Sequence, residues 1–504
     1  MVDKRFILAF VLVLVLGIAI RAYTSHLNTF MEPDVFMYFS VAQQTQHNLI
    51  LTSNLSGFPA HNAFDERQLL IYLPIWFSYL TGSLQASITF LPVIFGAIEM
   101  VLVYLVAEEI TKEKWAGIMA MLLLAVLVAG IFRNVAGEYR GDSLAPAFAL
   151  AGMLFLIRGY RKQSIGAKLP EYAAATLAVI GTMLIWNGGV YILIVLACYF
   201  VFLILSRVFR THKQKILLTL TVGLIISITI GGLAYRYVQA KPNSLSMTIL
   251  ELQPFSLNFA LAAYGPAFIL GFFGIGLMIY QAKKAEKKEL ENATYVLVAL
   301  FGIAFVLQLL QVRYEVLLAA PMAIATGIAL YWIYKKIDPH GGKSALYLVL
   351  LIVLAQGVGA GKEVLTLTPA GGITPQFITA MQWLNSNTPT NSSVLTFWSD
   401  GSVVEGIGQR QSYTDSVLGL NITRTTAFAR YLYQPPTNQS YILSVNPTFI
   451  VARTIWKYEA NSIAEEGGLA NRSLNGTNLQ ALINGTAPYS IVYQNNDTII
   501  YEVR

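Results

Sequence analysis

Apolar runs of membrane-crossing length, separated by short polar connections, fill the first 360 or so residues, and beyond them apolar and polar positions are mixed. A run of about 17 to 25 apolar residues is long enough to cross the hydrocarbon core of a bilayer as a helix. The runs lie near 6–23, 86–107, 115–132, 143–157, 171–186, 188–206, 216–235, 257–280, 293–312, 314–334 and 344–360. That is eleven; the ambiguous stretches 69–84 and 143–206 widen the expectation to eleven to thirteen spans. The first run follows Lys4-Arg5 and is not followed by a small-residue cleavage site, so it reads as a retained span rather than a secretory leader.

After about Gly361 the periodicity predicts a helix over 375–386 and strands over 392–398, 448–453, 489–494 and 498–503. The chain is therefore expected to have two parts. Residues 1–365 form a polytopic α-helical membrane domain, and residues 366–504 form a mixed α/β domain outside the membrane. Seven N-x-[ST] sequons, at Asn391, Asn421, Asn438, Asn471, Asn475, Asn484 and Asn496, support an extracytoplasmic place for the second part.

Composition agrees with the pattern. The chain is 55% hydrophobic and 12% charged, above the apolar content of water-soluble proteins. A net charge of +7 would be compatible with nucleic acid, but the basic residues sit in short loops between apolar runs, so no nucleic-acid partner is expected. One cysteine excludes an internal disulfide. Charge then orients the spans. Lys112/Lys114, Arg158/Arg161/Lys162/Lys168, Arg207/Arg210/Lys213/Lys215, Lys283/Lys284/Lys287/Lys288 and Lys335/Lys336/Lys343 mark five loops. The positive-inside rule places these and the N-terminus in the cytoplasm. The opposite side receives 24–85, 133–142, 236–256, the turn at Arg313 and the C-terminal part.

Three carboxylates fall on that opposite side: Asp34, Asp142 and Glu251. An acid beside a lipid-embedded helix is costly unless it meets water, a metal or an opposite charge. Glu32-Pro33-Asp34 presents two acids two residues apart, suited to a hard divalent cation, although a solvated loop acid has the same sequence. Arg133-Asn-Val-Ala-Gly-Glu138-Tyr-Arg140-Gly-Asp142 is dense in charge for a ten-residue connection. Either it anchors two helices at the interface, or Asp142 ligates metal while Arg133 or Arg140 faces an anionic substrate. Glu251 is the single acid of a long external loop. Arg313 stands between two apolar runs and needs a partner, either Glu315 or a phosphate.

In this order and spacing the residues resemble the catalytic subunit of oligosaccharyltransferase, in its single-subunit archaeal form. The likeness runs nearly from end to end. It includes Glu32-x-Asp34, VAGEYRGD, Trp186-Asn-Gly-Gly-Val-Tyr191, Thr248-Ile249-Leu250-Glu251, Arg313-Tyr ending in Ala-Ala-Pro321, and VLTFWSDG at the start of the C-terminal part. The resemblance implies a GT-C-like membrane domain in the cell membrane and a soluble domain that reads acceptor sequons. It implies transfer of a glycan from a polyprenyl (dolichyl) phosphate or pyrophosphate to Asn of N-x-[ST], with Mn²⁺ or Mg²⁺ as cofactor. By the same resemblance Asp34, Asp142 and Glu251 hold the metal, and Asp34 and Glu251 also hold the acceptor amide. Arg313, with Arg133, contacts the lipid phosphate, and Trp398, Ser399 and Asp400 bind the acceptor hydroxyl. Two positions depart from the family pattern. Arg140 stands where a second acidic ligand is usual, and the W-W-D-Y-G sequence appears as Phe397-Trp398-Ser399-Asp400-Gly401, so either Ser399 or Asp400 replaces the aspartate. The region 409–434 is the candidate for the helix that completes the hydroxyl pocket.

Two other classes compete. Another membrane glycosyltransferase using a lipid-linked sugar, directed at hydroxyls or lipids, would share the spans and the acid after span one, but would not need the TILE loop or WSDG. A secondary transporter would carry inverted repeats and polar residues at mid-membrane; no internal repeat is evident and the spans are nearly free of mid-span charge.

Overall fold

The computed structural model describes residues 4–27, 29–48, 68–208, 255–284, 288–341, 344–369, 372–414, 422–469 and 473–503. These fall into two compact units. The first comprises 4–27, 90–208 and 255–367; the second comprises 29–48, 68–89 and 368–503.

The helices in chain order are α1 (Lys4–Ala22), α2 (Pro33–Asn48), α3 (Gln68–Thr81), α4 (Leu84–Thr111), α5 (Lys114–Val126), α6 (Val128–Ile131), α7 (Gly141–Arg161), α8 (Ile165–Ile185), α9 (Tyr191–Val208), α10 (Leu257–Tyr264), α11 (Ala267–Lys284), α12 (Lys288–Leu310), α13 (Glu315–Gly341) and α14 (Ser344–Thr366). Among the described residues eight helices are long and apolar enough to cross a membrane, and counting one bent pair as a span gives nine. The expected runs all coincide with helices except 216–235, which lies outside the described residues. Two runs are interrupted. The run 115–132 breaks at Leu127, whose backbone is extended between α5 and α6. The run 257–280 turns by 84° between α10 and α11. Gly265-Pro266 explains that turn: Gly265 has φ +51°, and a proline cannot donate the hydrogen bond that would carry the helix through.

In the first unit α13 is central, with 83% of its apolar stretch buried, whereas α1 (17%) and α14 (22%) are peripheral. Their outer faces carry exposed leucines such as Leu8, Leu12, Leu351 and Leu354, as a lipid-facing surface requires. Lipid tails are as apolar as leucine, so helices associate through close packing at small residues. Gly327 of α13 lies against the backbone of Ala120, and Gly274 of α11 against the Ala325 carbonyl, at distances that leave no room for a Cβ.

The second unit holds a five-stranded sheet in the order β2-β1-β3-β5-β4. Its strands are β1 (Ser393–Leu395), β2 (Gln411–Ser412), β3 (Phe449–Arg453), β4 (Ser490–Gln494) and β5 (Thr498–Glu502). β1 runs parallel to β2 and β3, while β5 is antiparallel to β3 and β4. The shorter helices here are α15 (Pro375–Asn387), α16 (Trp398–Gly406), α17 (Ile422–Leu432), α18 (Ser440–Val445), α19 (Ala460–Glu466) and α20 (Asn478–Ile483). Thr374 caps α15 by accepting the Phe377 N–H at 3.0 Å, with Pro375 in the first turn. The predicted helix and the four predicted strands of this part each match an observed element within a few residues. The fold is a polytopic helical membrane domain with a C-terminal mixed α/β domain.

Candidate active site

Each unit contributes sequence-predicted residues. In the first, the segment from Phe132 to Arg140 leads from α6 into α7 and is held from inside. Arg21, fully buried at the end of α1, donates from Nη1 to the Gly17 carbonyl (3.2 Å) and from Nη2 to those of Leu124 (3.1 Å) and Gly130 (2.9 Å). The last two flank the break at Leu127, where helical carbonyls lose their intrahelical partners. The Ala136 N–H donates to the Arg21 carbonyl (2.8 Å), and the Thr24 hydroxyl donates to the Ala136 carbonyl (2.8 Å). Asn134 donates to the buried Glu99 carboxylate at 2.9 Å. Gly137, with φ +88°, makes the turn that brings Glu138 back to Arg133. That pair is buried, Nη1 to Oε1 3.0 Å, so Arg133 is engaged internally.

Asp142 occupies the first turn of α7, where the helix dipole favours a negative charge, and is only 1% exposed. Arg140 Nε and Arg313 Nη2 each approach its carboxylate at 3.6 Å, longer than a charge-assisted hydrogen bond. Arg313 keeps 27% of its side chain exposed. Its neighbour Tyr314 packs on Trp186 with ring centroids 6.4 Å apart, and Trp186 packs on Tyr191 at 6.1 Å. A Cβ on Gly141 would sit 2.6 Å from the Ile185 carbonyl and 2.9 Å from the Trp186 ring, so glycine lets the α8–α9 turn approach the residue before Asp142. Three motifs distant in sequence, VAGEYRGD, WNGGVY and RY, therefore meet at one end of these helices. The other end carries Arg161 of α7 and Lys335 of α13.

In the second unit Asp34 lies in the first turn of α2 rather than in an irregular loop, with Pro33 opening the helix. α2 packs on α16, the helix of the WSDG sequence. A Cβ on Gly406 would fall 2.5 Å from the Phe36 carbonyl oxygen, and the Ser40 hydroxyl donates to the Glu405 carbonyl at 3.4 Å. Asp400, 2% exposed, accepts from Arg453 Nη1 (2.7 Å) and from Trp456 Nε1 (2.8 Å). Arg453 also donates to Asp497 (3.2 Å) and to the Gly372 carbonyl (2.5 Å), and lies 4.0 Å from the Phe377 ring centroid. Burial pushes the Asp400 carboxyl up, against the pull of Arg453 and Trp456. Burial alone would lower Arg453, but Asp400 and Asp497 hold it above its ordinary range, so the guanidinium stays charged. Nearby Glu459 is raised to about 7, by burial first and then by repulsion from Asp400. Trp398 donates its indole N–H to both oxygens of the buried Glu466, at 3.1 and 3.3 Å. Trp398 and Ser399 are half-buried.

Glu251, with the rest of the TILE loop, lies outside the described residues. Of the 409–434 candidate region, α17 is described and 415–421 are not. Among the described residues no three His, Cys, Asp or Glu side chains group closely enough to hold a metal. Asp142 itself is a buried carboxylate, a hard oxygen donor of the kind Mg²⁺ and Mn²⁺ prefer. Sequence reasoning missed Arg21, Glu99, Arg453 and Glu466. Arg21 and Glu99 each carried a signal, as a charge inside an apolar run, whereas Arg453 and Glu466 carried none.

A sequence model of the oligosaccharyl transferase STT3 family, N-terminal region, matches residues 67–381. The match covers more than half of the chain, which belongs to this family. Dolichyl-phosphooligosaccharide-protein glycotransferase 1 of Pyrococcus horikoshii is 30% identical over 205 residues, covering 36% of this chain and 20% of that protein. The chain thus spans about a fifth of the length of that relative. The archaeal oligosaccharyltransferase AglB from Archaeoglobus fulgidus, in complex with an inhibitory peptide and a dolichol-phosphate, superposes with a TM-score of 0.73 at 17% identity, covering 94% of this chain and 72% of the other. ArnT from Cupriavidus metallidurans gives 0.56 at 12% identity, covering 99% and 98%. The two structural likenesses show the shared fold.

Proposed function

We propose that this chain is an oligosaccharyltransferase catalytic subunit. It moves a glycan from a polyprenyl phosphate or pyrophosphate to the side-chain amide of Asn in N-x-[ST], as the catalytic chain of a single-subunit enzyme. The observation that carries this reading is the meeting of Asp142, Arg313 and Trp186 at one end of the membrane helices in an STT3-family chain. It brings a carboxylate and a part-exposed guanidinium together, and the family chemistry calls for a metal ligand and a phosphate contact. The relatives add support: the AglB structures include one bound to a dolichol-phosphate and one tethered to an acceptor peptide with an NVT sequon. In the proposed orientation the N-terminus is cytoplasmic, and the Asp142 end and the C-terminal domain lie outside the cell membrane.

The chemical problem is the acceptor, because the lone pair of an amide nitrogen is delocalised into its carbonyl. Asp34, with Glu251, accepts hydrogen bonds from the amide N–H groups and takes up the proton lost as the nitrogen bonds to the anomeric carbon. The sugar–oxygen bond to phosphate breaks, and its electron pair leaves on the phosphate. Arg313 receives that charge with a fork of donors. Asp34, Asp142 and Glu251 would hold Mn²⁺ or Mg²⁺, which when bound would neutralise charge on the departing phosphate; a structure of the Archaeoglobus fulgidus oligosaccharyltransferase is a complex with zinc and sulfate, in keeping with divalent-metal binding in the family. The internal pairing of Arg133 with Glu138 favours Arg313 as the phosphate contact.

Acceptor recognition is assigned to Trp398 and Ser399. Asp400 has both carboxylate oxygens engaged by Arg453 and Trp456, so its part is to fix α16. Glu466 orients the Trp398 ring. A site that hydrogen-bonds the acceptor hydroxyl penalises substrates lacking it.

The test is glycan transfer by purified protein from the host's lipid carrier to a fluorescent N-x-T peptide, with and without EDTA. A mobility shift that EDTA removes and a Gln-x-T peptide does not show is the expected result. No shift with a competent lipid extract overturns the assignment in favour of a glycosyltransferase directed at hydroxyls or lipids.

A further inference from the structure

The first unit has a second chemically distinctive place, at the end of its helices away from Asp142. A cavity of about 400 Å³ opens there between α4, α7, α11, α12 and α13. Asp142 and Arg161 bound the same helix, so the cavity lies about 28 Å from the carboxylate at 1.5 Å per residue. Its rim carries Lys112, Arg161 and Lys335, with Glu113 and Glu289 as opposing acids. Deeper positions are apolar, among them Met278, Ile328 and Trp332.

We propose that this cavity binds the phosphate headgroup of an anionic membrane lipid, with the lipid's apolar part against Met278, Ile328 and Trp332. Three observations converge on that ligand. The first is charge. Glu109 is shared by Lys112 (2.5 Å), Arg158 (3.7 Å) and Arg161, so one carboxylate faces three cations and positive charge is left over beside the cavity. Glu113 is engaged by Lys335 at 2.9 Å, and its carboxyl is held below its ordinary range chiefly by that hydrogen bond. The second is backbone strain. Lys112 makes the turn between α4 and α5 with φ +61°, a left-handed conformation that glycine adopts at no steric cost. A lysine kept in that conformation beside a cavity points to a role for its ammonium group. The third is the mixture of surfaces. A free phosphate ion needs only the basic rim, whereas a lipid also needs an apolar floor at the depth where the spans end. Trp332 and Tyr331 lie there, as aromatic residues do at a membrane interface. Basic pockets between transmembrane helices are the usual form of an anionic-lipid site. The loops that form this one are those whose lysines and arginines point to the cytoplasm. The inference is independent of the transfer reaction.

The experiment uses the full chain in detergent, with phosphatidylglycerol and phosphatidylcholine as lipid probes and inorganic phosphate as a competitor, read by native mass spectrometry. Wild-type protein is expected to retain one phosphatidylglycerol per chain in preference to phosphatidylcholine. Lys112→Gly and Lys335→Gln should each weaken retention about fivefold, the worth of one basic residue near an anionic surface. Lys112→Gly should not lower the melting temperature, because glycine relieves the left-handed turn, and this separates lost binding from lost folding. Equal retention by wild type and both variants overturns the proposal. So does displacement of phosphatidylglycerol by millimolar phosphate, which would mark a site for soluble anions.

Discussion

Asp142 and Asp400 have the same local setting in different units. Each is in the first turn of a helix, each is nearly inaccessible, and each faces arginine. Their hydrogen-bond geometry separates them. Asp400 receives Arg453 at 2.7 Å and Trp456 at 2.8 Å, and Arg453 is fully buried. Asp142 has Arg140 and Arg313 at 3.6 Å, and Arg313 keeps more than a quarter of its side chain in the open. Close, buried and multiply bonded groups are scaffold, since moving them would leave a charge unsatisfied in a medium of low dielectric. An arginine at longer range with an exposed flank has donors to offer a ligand. Burial of the acid alone would have classed both aspartates together.

Substitutions should pull the two apart, beginning with the largest effect. Asp142→Asn is expected to lower glycan transfer by about 10³-fold while leaving the melting temperature within a degree or two of wild type, and Asp34→Ala should behave alike. Retained transfer in either variant would remove that residue from the reaction. Asp400→Ala should do the reverse in kind. It strands Arg453 among buried groups and should destabilise the C-terminal domain by about 3 kcal/mol, seen as earlier thermal unfolding and faster proteolysis. A stable Asp400→Ala protein that has lost only acceptor affinity would instead make Asp400 a sequon contact.

Smaller effects sharpen the contrast. Arg313→Gln should raise the KM for the lipid-linked donor by about 10-fold to 100-fold, the worth of a charge-assisted hydrogen bond, with little change in stability. An altered KM for peptide alone would place Arg313 elsewhere. Glu459, beside the Asp400 network, gives the pH signature. Its folded carboxyl is raised to about 7, above the unfolded value of an ordinary glutamate near 4.5. The proton is therefore favoured in the folded state; that contribution is complete below about 4.5 and is lost as pH rises through 7. Glu459→Gln should stabilise the C-terminal domain above pH 7 by on the order of 1–2 kcal/mol and leave it unchanged near pH 4. Denaturant midpoints at the two pH values check this; a stabilisation equal at both would mean that charge on Glu459 is not involved.

The acceptor end of the site divided between what could be read and what could not. Trp398, Ser399 and Asp400 stood out in the sequence, yet whether Ser399 or Asp400 takes the place of the usual aspartate stayed open. What the structure adds is that Asp400 is bonded to Arg453 and Trp456, more than fifty positions away, and no local pattern links them. Arg313 had two candidate partners by sequence, Glu315 and a phosphate, and the structure adds Asp142 from another helix. Glu466 gave no warning, because an acid at the end of a short helix looks like any solvated residue until its burial beside an indole is seen.

What the sequence determined by itself follows from short-range physics. Apolar run length against bilayer thickness marked the helices long enough to span, and period-two and helical patterns located α15 and four strands of the sheet. Those signals arise within one or two turns of chain, so they survive without tertiary context. The breaks at Leu127 and Gly265, the inclusion of α2 in the unit that holds the sheet, and the partners of Asp142 and Asp400 were decided only on folding. A guanidinium or a carboxylate takes its meaning from burial and from donors that packing brings within about 3 Å, and residues scattered along the chain supply those donors.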